Sequence, residues 1–218
     1  MISRKLSSLL LCGAMVLSIA GCSTNGTSAA TAAGPAVDQD PTAASAISEV
    51  LAPVAADSPA DNSDDIFVSK YPAFAVTSQS LHDGKWDEIT ANTVDGKNAS
   101  PELSWEPIEG AYTYVIYMID MDTAYFIHWK SADITETSLP EGWATSTDYV
   151  GPYPPPGSTH HYNVYVFALK NPVERAKGGI NSICPRVPEF MEALDTDASG
   201  NTGNIIAVGR VSGAYTAK

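Results

Sequence analysis

Beyond residue 66 the chain alternates short apolar runs, rich in aromatic and β-branched residues, with Gly, Pro, Asn and Asp punctuation. That rhythm predicts many short strands joined by turns. The longest run covers 111–121. Tyr112, Tyr114, Ile116 and Met118 fall on one parity and Thr113, Val115, Tyr117 and Ile119 on the other, so the run reads as a strand buried on both faces. Its end carries Asp120 and Asp122 on one side. A second long strand is predicted over 160–170, where period-two alternation puts His160 and Tyr162 on the same face and His161 on the opposite one. Shorter strands are predicted at 67–68, 74–77 and 103–105, with a turn over 95–98. A short helix over 188–194 and a last strand over 205–211 complete a mainly antiparallel β domain covering 65–218.

The first 64 residues follow another pattern. Arg4 and Lys5 precede an apolar stretch, 6–20, too short to span a bilayer and ending in small residues, as an export signal does. Ile19-Ala-Gly-Cys22 resembles the bacterial lipobox, which implies a signal peptide of 1–21, a diacylglyceryl group on the sulfur of Cys22, and export to a bacterial cell membrane held by that anchor. Residues 22–64 are rich in Ala, Ser, Thr, Pro, Asp and Gly and hold no aromatic residue, so they read as a disordered tether.

The net charge of −13 becomes −15 once cleavage removes Arg4 and Lys5 and no acid. This balance argues against nucleic acid and against electrostatic capture by anionic lipid. Cys12, Cys22 and Cys184 are too few and too scattered for a disulfide framework or a thiolate zinc site.

The chemistry centres on Gly-Pro-Tyr-Pro-Pro-Pro-Gly-Ser-Thr-His-His-Tyr over 151–162. Its prolines hold φ near −65° while Gly151 and Gly157 are free to take positive φ, so a stiff loop delivers His160 and Tyr162 into the strand that follows.

This run is the last of four stretches in fixed order. The others are Phe74-Ala-Val-Thr-Ser leading to Asp-Gly-Lys-Asn-Ala-Ser-Pro-Glu-Leu-Ser-Trp over 95–105, Asp120-Met-Asp122, and His128-Trp129 leading to Ser-Leu-Pro-Glu-Gly over 138–142. Together they resemble the phosphatidylethanolamine-binding protein family, in its bacterial Raf-kinase-inhibitor-like branch. The resemblance implies a central antiparallel sheet, a smaller second sheet, a few short peripheral helices, and a small pocket for phosphate or a phosphorylated headgroup. It places Asp120, His128, His160 and Tyr162 in that pocket, with Pro154 and Pro155 as its wall. It implies no catalytic residue, cofactor or metal, and a binding or regulatory module rather than an enzyme.

The sequence also departs from the family pattern. Met121, Thr123 and Ala124 stand where the family has Pro, Ala and Pro, and the stretch from Asp122 to His128 is short, which predicts a more open mouth. His161 replaces an arginine. Lys130 and Ser131 replace an apolar pair, which predicts a strand nearer a sheet edge.

The chemistry of such a pocket follows from its residue types. Imidazoles supply N–H donors whose charge is tunable near neutral pH, and Asp120 is expected to fix their tautomers. Two histidines and two aspartates also form a candidate zinc or iron set, but no His-Glu-x-x-His or paired cysteine spacing accompanies them. Ser100, Ser104 or Ser158 are candidate hydrolase nucleophiles without a Gly-x-Ser-x-Gly elbow. The family's known inhibitors and scaffolds suggest a further role, in which the loops over 151–157 and 122–128 meet an envelope protein partner.

Overall fold

The computed structural model describes residues 61–218. The expected signal peptide of 1–21, the expected lipidation site at Cys22 and the expected tether up to residue 60 lie outside the described residues. In chain order the strands are β1 (Ala73–Phe74), β2 (Val76–Thr77), β3 (Leu81–His82), β4 (Lys85–Trp86), β5 (Leu103–Trp105), β6 (Thr113–Asp120), β7 (Phe126–Ile134), β8 (Ser138–Leu139), β9 (Thr159–Leu169) and β10 (Ser182–Ile183). A short helix, α1 (Val187–Glu192), and the final strand, β11 (Ile205–Thr216), follow.

The large sheet runs in the order β10-β7-β6-β9-β11-β4-β3, with β1 also on β11. Its long strands are antiparallel, as expected, but β1 and β4 lie parallel to β11, so the sheet is mixed. A three-stranded sheet, β2-β5-β8, forms the second layer. Every residue of β6 is buried, as the apolar run predicted. Tyr114, Ile116 and Met118 pack with Val76, Leu103, Trp105 and Leu139 of the small sheet. Val115, Tyr117 and Ile119 pack on the other side with Val187, Met191 and Leu194, from the helix and the turn after it. Both layers bury large apolar side chains, at about 25 cal/mol for each Å² removed from water, and this fixes the position of β6.

Two local readings are corrected. Residues 67–68 form a turn, not a strand, because Asp65 Oδ1 accepts the amides of Phe67 and Val68 at 2.8 and 3.2 Å. The packed chain also starts earlier than residue 65. Asn62 donates to the Val208 carbonyl at 3.0 Å, and Asp64 accepts from Arg210 at 2.7 Å, so the last residues assigned to the tether belong to the domain surface. Strand β7 does lie near an edge, flanked beyond Ile127 only by a bridge from Tyr149. Among the described residues no helix is long and apolar enough to cross a membrane.

Candidate functional site

The ends of three adjacent strands meet at one corner of the large sheet. In the register, Asp120 on β6 sits opposite Tyr162 on β9 and Phe126 on β7. The chain leaves β6 through residues 121–125 and returns into β7. A register shift between the pairs Met118/Trp129 and Ile119/Ile127 leaves His128 as the extra residue of a bulge. Bulges re-aim the side chains they carry, and this one turns His128 toward the Pro loop. There the His128 Nδ1–H donates to the Val150 carbonyl at 2.8 Å.

Asp120, His128, Pro154, Pro155, His160 and Tyr162, the six residues implied by the resemblance, all line one cavity of about 440 Å³. Thr123, Phe126, Tyr153, Pro156 and Ile183 complete its wall. These five were not read from the sequence. Tyr153 and Pro156 lie in the loop already singled out, and Phe126 reaches the cavity because it pairs with Asp120 at the start of β7. Thr123 and Ile183 carry no local signal, because the turn over 121–125 and the short strand β10 bring them in.

The polar atoms are arranged in two dyads. Asp120 Oδ2 accepts the His160 Nδ1–H at 2.7 Å, and its Oδ1 accepts the Asp122 amide at 2.8 Å. Outside the cavity, Asp122 Oδ2 accepts the His161 backbone N–H at 2.6 Å and ring Nδ1–H at 3.0 Å. His161 thus braces the 121–125 turn from the exposed face, in place of the arginine expected from the family. The turn needs this support, since Ala124 and Tyr125 hold positive φ of 46° and 64°, in the left-handed region that costs a residue with a Cβ about 1–2 kcal/mol.

One expectation is revised. Asp120 fixes the tautomer of His160 only; His128 is fixed by the Val150 carbonyl. Burial holds the His128 imidazole below the ordinary histidine range, against the weaker pull of the Val150 carbonyl and Asp120. Neutral His128 therefore presents Nε2 as an acceptor and becomes a second donor only when protonated. Tyr162 is fully buried, and burial together with Asp120 and Asp122 pushes its hydroxyl far above the usual range, so it remains a donor. Among the described residues neither the Tyr162 hydroxyl nor the Thr123 hydroxyl has a hydrogen-bond partner. Two unpaired buried hydroxyls at one cavity represent an unmet hydrogen-bonding capacity.

The rest of the wall is stiff and apolar. Phe126 lies 4.7 Å from the His128 ring centroid, and Tyr162 meets His128 edge-on at 5.1 Å. Tyr153 donates to Asn181 Oδ1 at 2.6 Å, fixing the rim of the Pro loop. The two loop glycines act differently. Gly157 takes φ +77° as anticipated, whereas Gly151 does not; a Cβ there would stand 1.9 Å from the Thr90 carbonyl, so close backbone approach is what requires it. No lysine, arginine, serine or cysteine lines the cavity. Among the described residues no three His, Cys, Asp or Glu side chains come close enough to hold a metal. Ser100, one of the serines considered above, is buried elsewhere and accepts the Ala144 amide at 3.0 Å.

Comparison with known proteins gives a consistent answer. A family model described as phosphatidylethanolamine-binding protein matches residues 77–209. Among solved structures, the chain is similar to Escherichia coli YbcL, described as a new member of the mammalian PEBP family, with 24% identity and a TM-score of 0.51 over 66% of this chain and 99% of that one. It is also similar to CT736 of Chlamydia trachomatis, described as a putative phosphatidylethanolamine-binding protein homolog, with 23% identity and a TM-score of 0.50 over 66% and 97%. At these identities the likeness is one of fold. No curated protein matches the chain.

Proposed function

The chain belongs to the phosphatidylethanolamine-binding protein family, and from that premise we propose that its Asp120–His160 cavity binds a small phosphorylated headgroup without turning it over, in a protein exported and anchored through lipidated Cys22. The observation that carries the reading is the Tyr162 hydroxyl, buried and unpaired beside an aspartate–histidine pair.

No fixed cation lines the cavity, so an anion there is attracted only by protonated imidazole and by hydroxyl donors. Asp120 repels a bare dianion but suits a ligand that carries its own ammonium or acidic proton. Neutral His128 also suits such a ligand, because its Nε2 accepts a hydrogen bond. Phosphoethanolamine has both charges. The apolar wall of Phe126, Tyr153 and Pro154–Pro156 accommodates the body of the ligand.

The test is calorimetric titration with phosphoethanolamine at two pH values, with sulfate as an anion of constant charge. Affinity is expected to be higher at the lower pH, and His160→Ala to weaken it by about 1.5–3 kcal/mol, the worth of a hydrogen bond to a charged group. No binding at millimolar ligand, or a larger loss from His161→Ala than from His160→Ala, rejects the pocket. The anchor is tested separately: fatty-acid labelling is expected to be lost in Cys22→Ser. A second reading, docking of an envelope protein, draws on the exposed Tyr153 and Ile183 at the rim.

A further inference from the structure

Ten lysines and arginines follow Cys22, in a chain whose side-chain charge beyond that point is −15. Four of the ten, Lys130, Arg175, Lys177 and Arg186, surround a second cavity of about 730 Å³, which shares no lining residue with the first. Phe190 and the backbone of 176–179 form the rest of its wall.

Collecting like charges is unfavourable unless something of opposite sign compensates. Here the compensation within the chain is partial. Arg186 pairs with Glu189 at 2.8 Å and stacks its guanidinium on the Phe190 ring at 5.3 Å, which also fixes its direction. The Lys130 ammonium donates to the Gly178 carbonyl, a neutral partner that leaves its charge unbalanced. Among the described residues Arg175 and Lys177 have no carboxylate within ion-pair distance, although Glu174 adjoins Arg175 in the chain. The amides of Gly178 and Gly179 likewise donate to no protein acceptor. Gly178 holds φ +93°, and a Cβ there would stand 2.7 Å from Ile127 Cδ1. The turn that carries these amides therefore requires glycine at 178. Free backbone N–H groups next to several cations make a concave acceptor for anions.

We propose that this basic cavity is a second ligand site, for a ligand bearing two or more phosphate charges, either free or carried on a lipid headgroup. The cations come from three separate segments, β7, the 175–179 loop and the start of α1, so a ligand with more than one phosphate group has cations to meet from more than one of them. Arg175, Lys177 and the glycine amides supply the unsatisfied donors. Lys130 and Arg186 supply further charge.

The experiment titrates the full chain with inorganic diphosphate at about 20 mM and about 150 mM salt, and measures co-sedimentation with vesicles of cardiolipin, whose headgroup carries two phosphates, plus phosphatidylcholine against phosphatidylcholine alone. The double change Arg175→Gln, Lys177→Gln removes two exposed cations that have no protein partner. It is expected to lower diphosphate affinity by about tenfold or more, with the thermal midpoint unchanged. The charge-matched control Lys85→Gln, Lys97→Gln and the first-pocket variant His160→Ala are expected to leave it within about twofold. Loss confined to vesicle binding identifies a lipid headgroup as the source, and loss of soluble diphosphate binding identifies a free ligand. An equal loss in the lysine control overturns the proposal, as does the absence of binding to either probe. Binding of an acidic peptide but not of diphosphate also overturns it, in favour of a protein partner.

Discussion

The Asp120 carboxylate and the His160 imidazole meet at 2.7 Å across neighbouring strands, with both side chains largely shielded from water. The aspartate holds the Nδ1 proton and leaves Nε2 for the cavity, while its second oxygen closes the 121–125 turn through the Asp122 amide. One side chain thus sets the direction of the ring and the shape of the mouth. Asp120→Asn keeps the size of the group but removes the charge behind both bonds. Phosphoethanolamine affinity is expected to fall by about 1–2 kcal/mol, roughly five- to thirtyfold, with little change in the far-ultraviolet circular dichroism. A calorimetric titration matching wild type would detach Asp120 from the site.

His128 gives a pH dependence with a definite sign. Burial lowers its native pKa below the unfolded value of about 6.5, so below that pH the unfolded chain takes up a proton that the native site resists. Stability is therefore expected to fall as pH drops from about 7 toward 5, by up to about 1.4 kcal/mol for each unit of the difference between the two pKa values. His128→Asn retains an N–H to face the Val150 carbonyl but does not titrate. Urea unfolding at both pH values should show a smaller drop for the variant; identical drops would remove His128 as the cause.

The two glycines of the Pro loop allow a comparison of sterics with backbone conformation. Gly151→Ala drives a methyl into the Thr90 carbonyl, whereas Gly157→Ala meets no atom within 4 Å and bears only its positive φ. The first change is expected to cost about 3 kcal/mol, at the upper end for overpacking, and the second about 1 kcal/mol. Denaturation midpoints decide the order. If Gly157→Ala proved the more damaging, the close approach of residues 90 and 151 would be wrong.

How legible these features were depended on whether a local period or a tertiary contact carried them. The two-face pattern of β6 and the pairing of His160 with Tyr162 follow from strand alternation, and so were read directly. His128 faces the cavity because of a bulge, which depends on its register with β6 rather than on its neighbours in the chain. The parallel pairing of β4 with β11 joins residues 85 and 214, beyond the reach of any short window. Residues 67–68 look like a strand by composition, but a capping aspartate two residues earlier bends them. The net charge hid the basic cavity, since its cations come from three separated segments within an acidic chain.

The start of the domain provides the last prediction. Arg210 on β11 and Asp65 are both more than nine-tenths shielded and meet at 2.9 Å, and the same Asp65 oxygen accepts the Tyr165 hydroxyl at 2.8 Å. Asp64 contacts the same guanidinium at 2.7 Å but stands 72% exposed. Removing one member of a buried pair leaves an uncompensated charge, so Asp65→Asn is expected to destabilise the fold by about 3 kcal/mol. Asp64→Asn, which alters a solvated pair, should cost under about 1 kcal/mol and only at low salt. The Asp65 effect should persist at high salt because water and ions are excluded from it. Guanidinium is unsuitable for this measurement because it is itself a salt, so urea unfolding at two sodium chloride concentrations is the appropriate test. Equal costs for the two variants would mean that residues 61–65 lie on the surface without being part of the cooperative unit. The larger Asp65 cost would make Arg210 the point where the chain before residue 66 is held to the sheet.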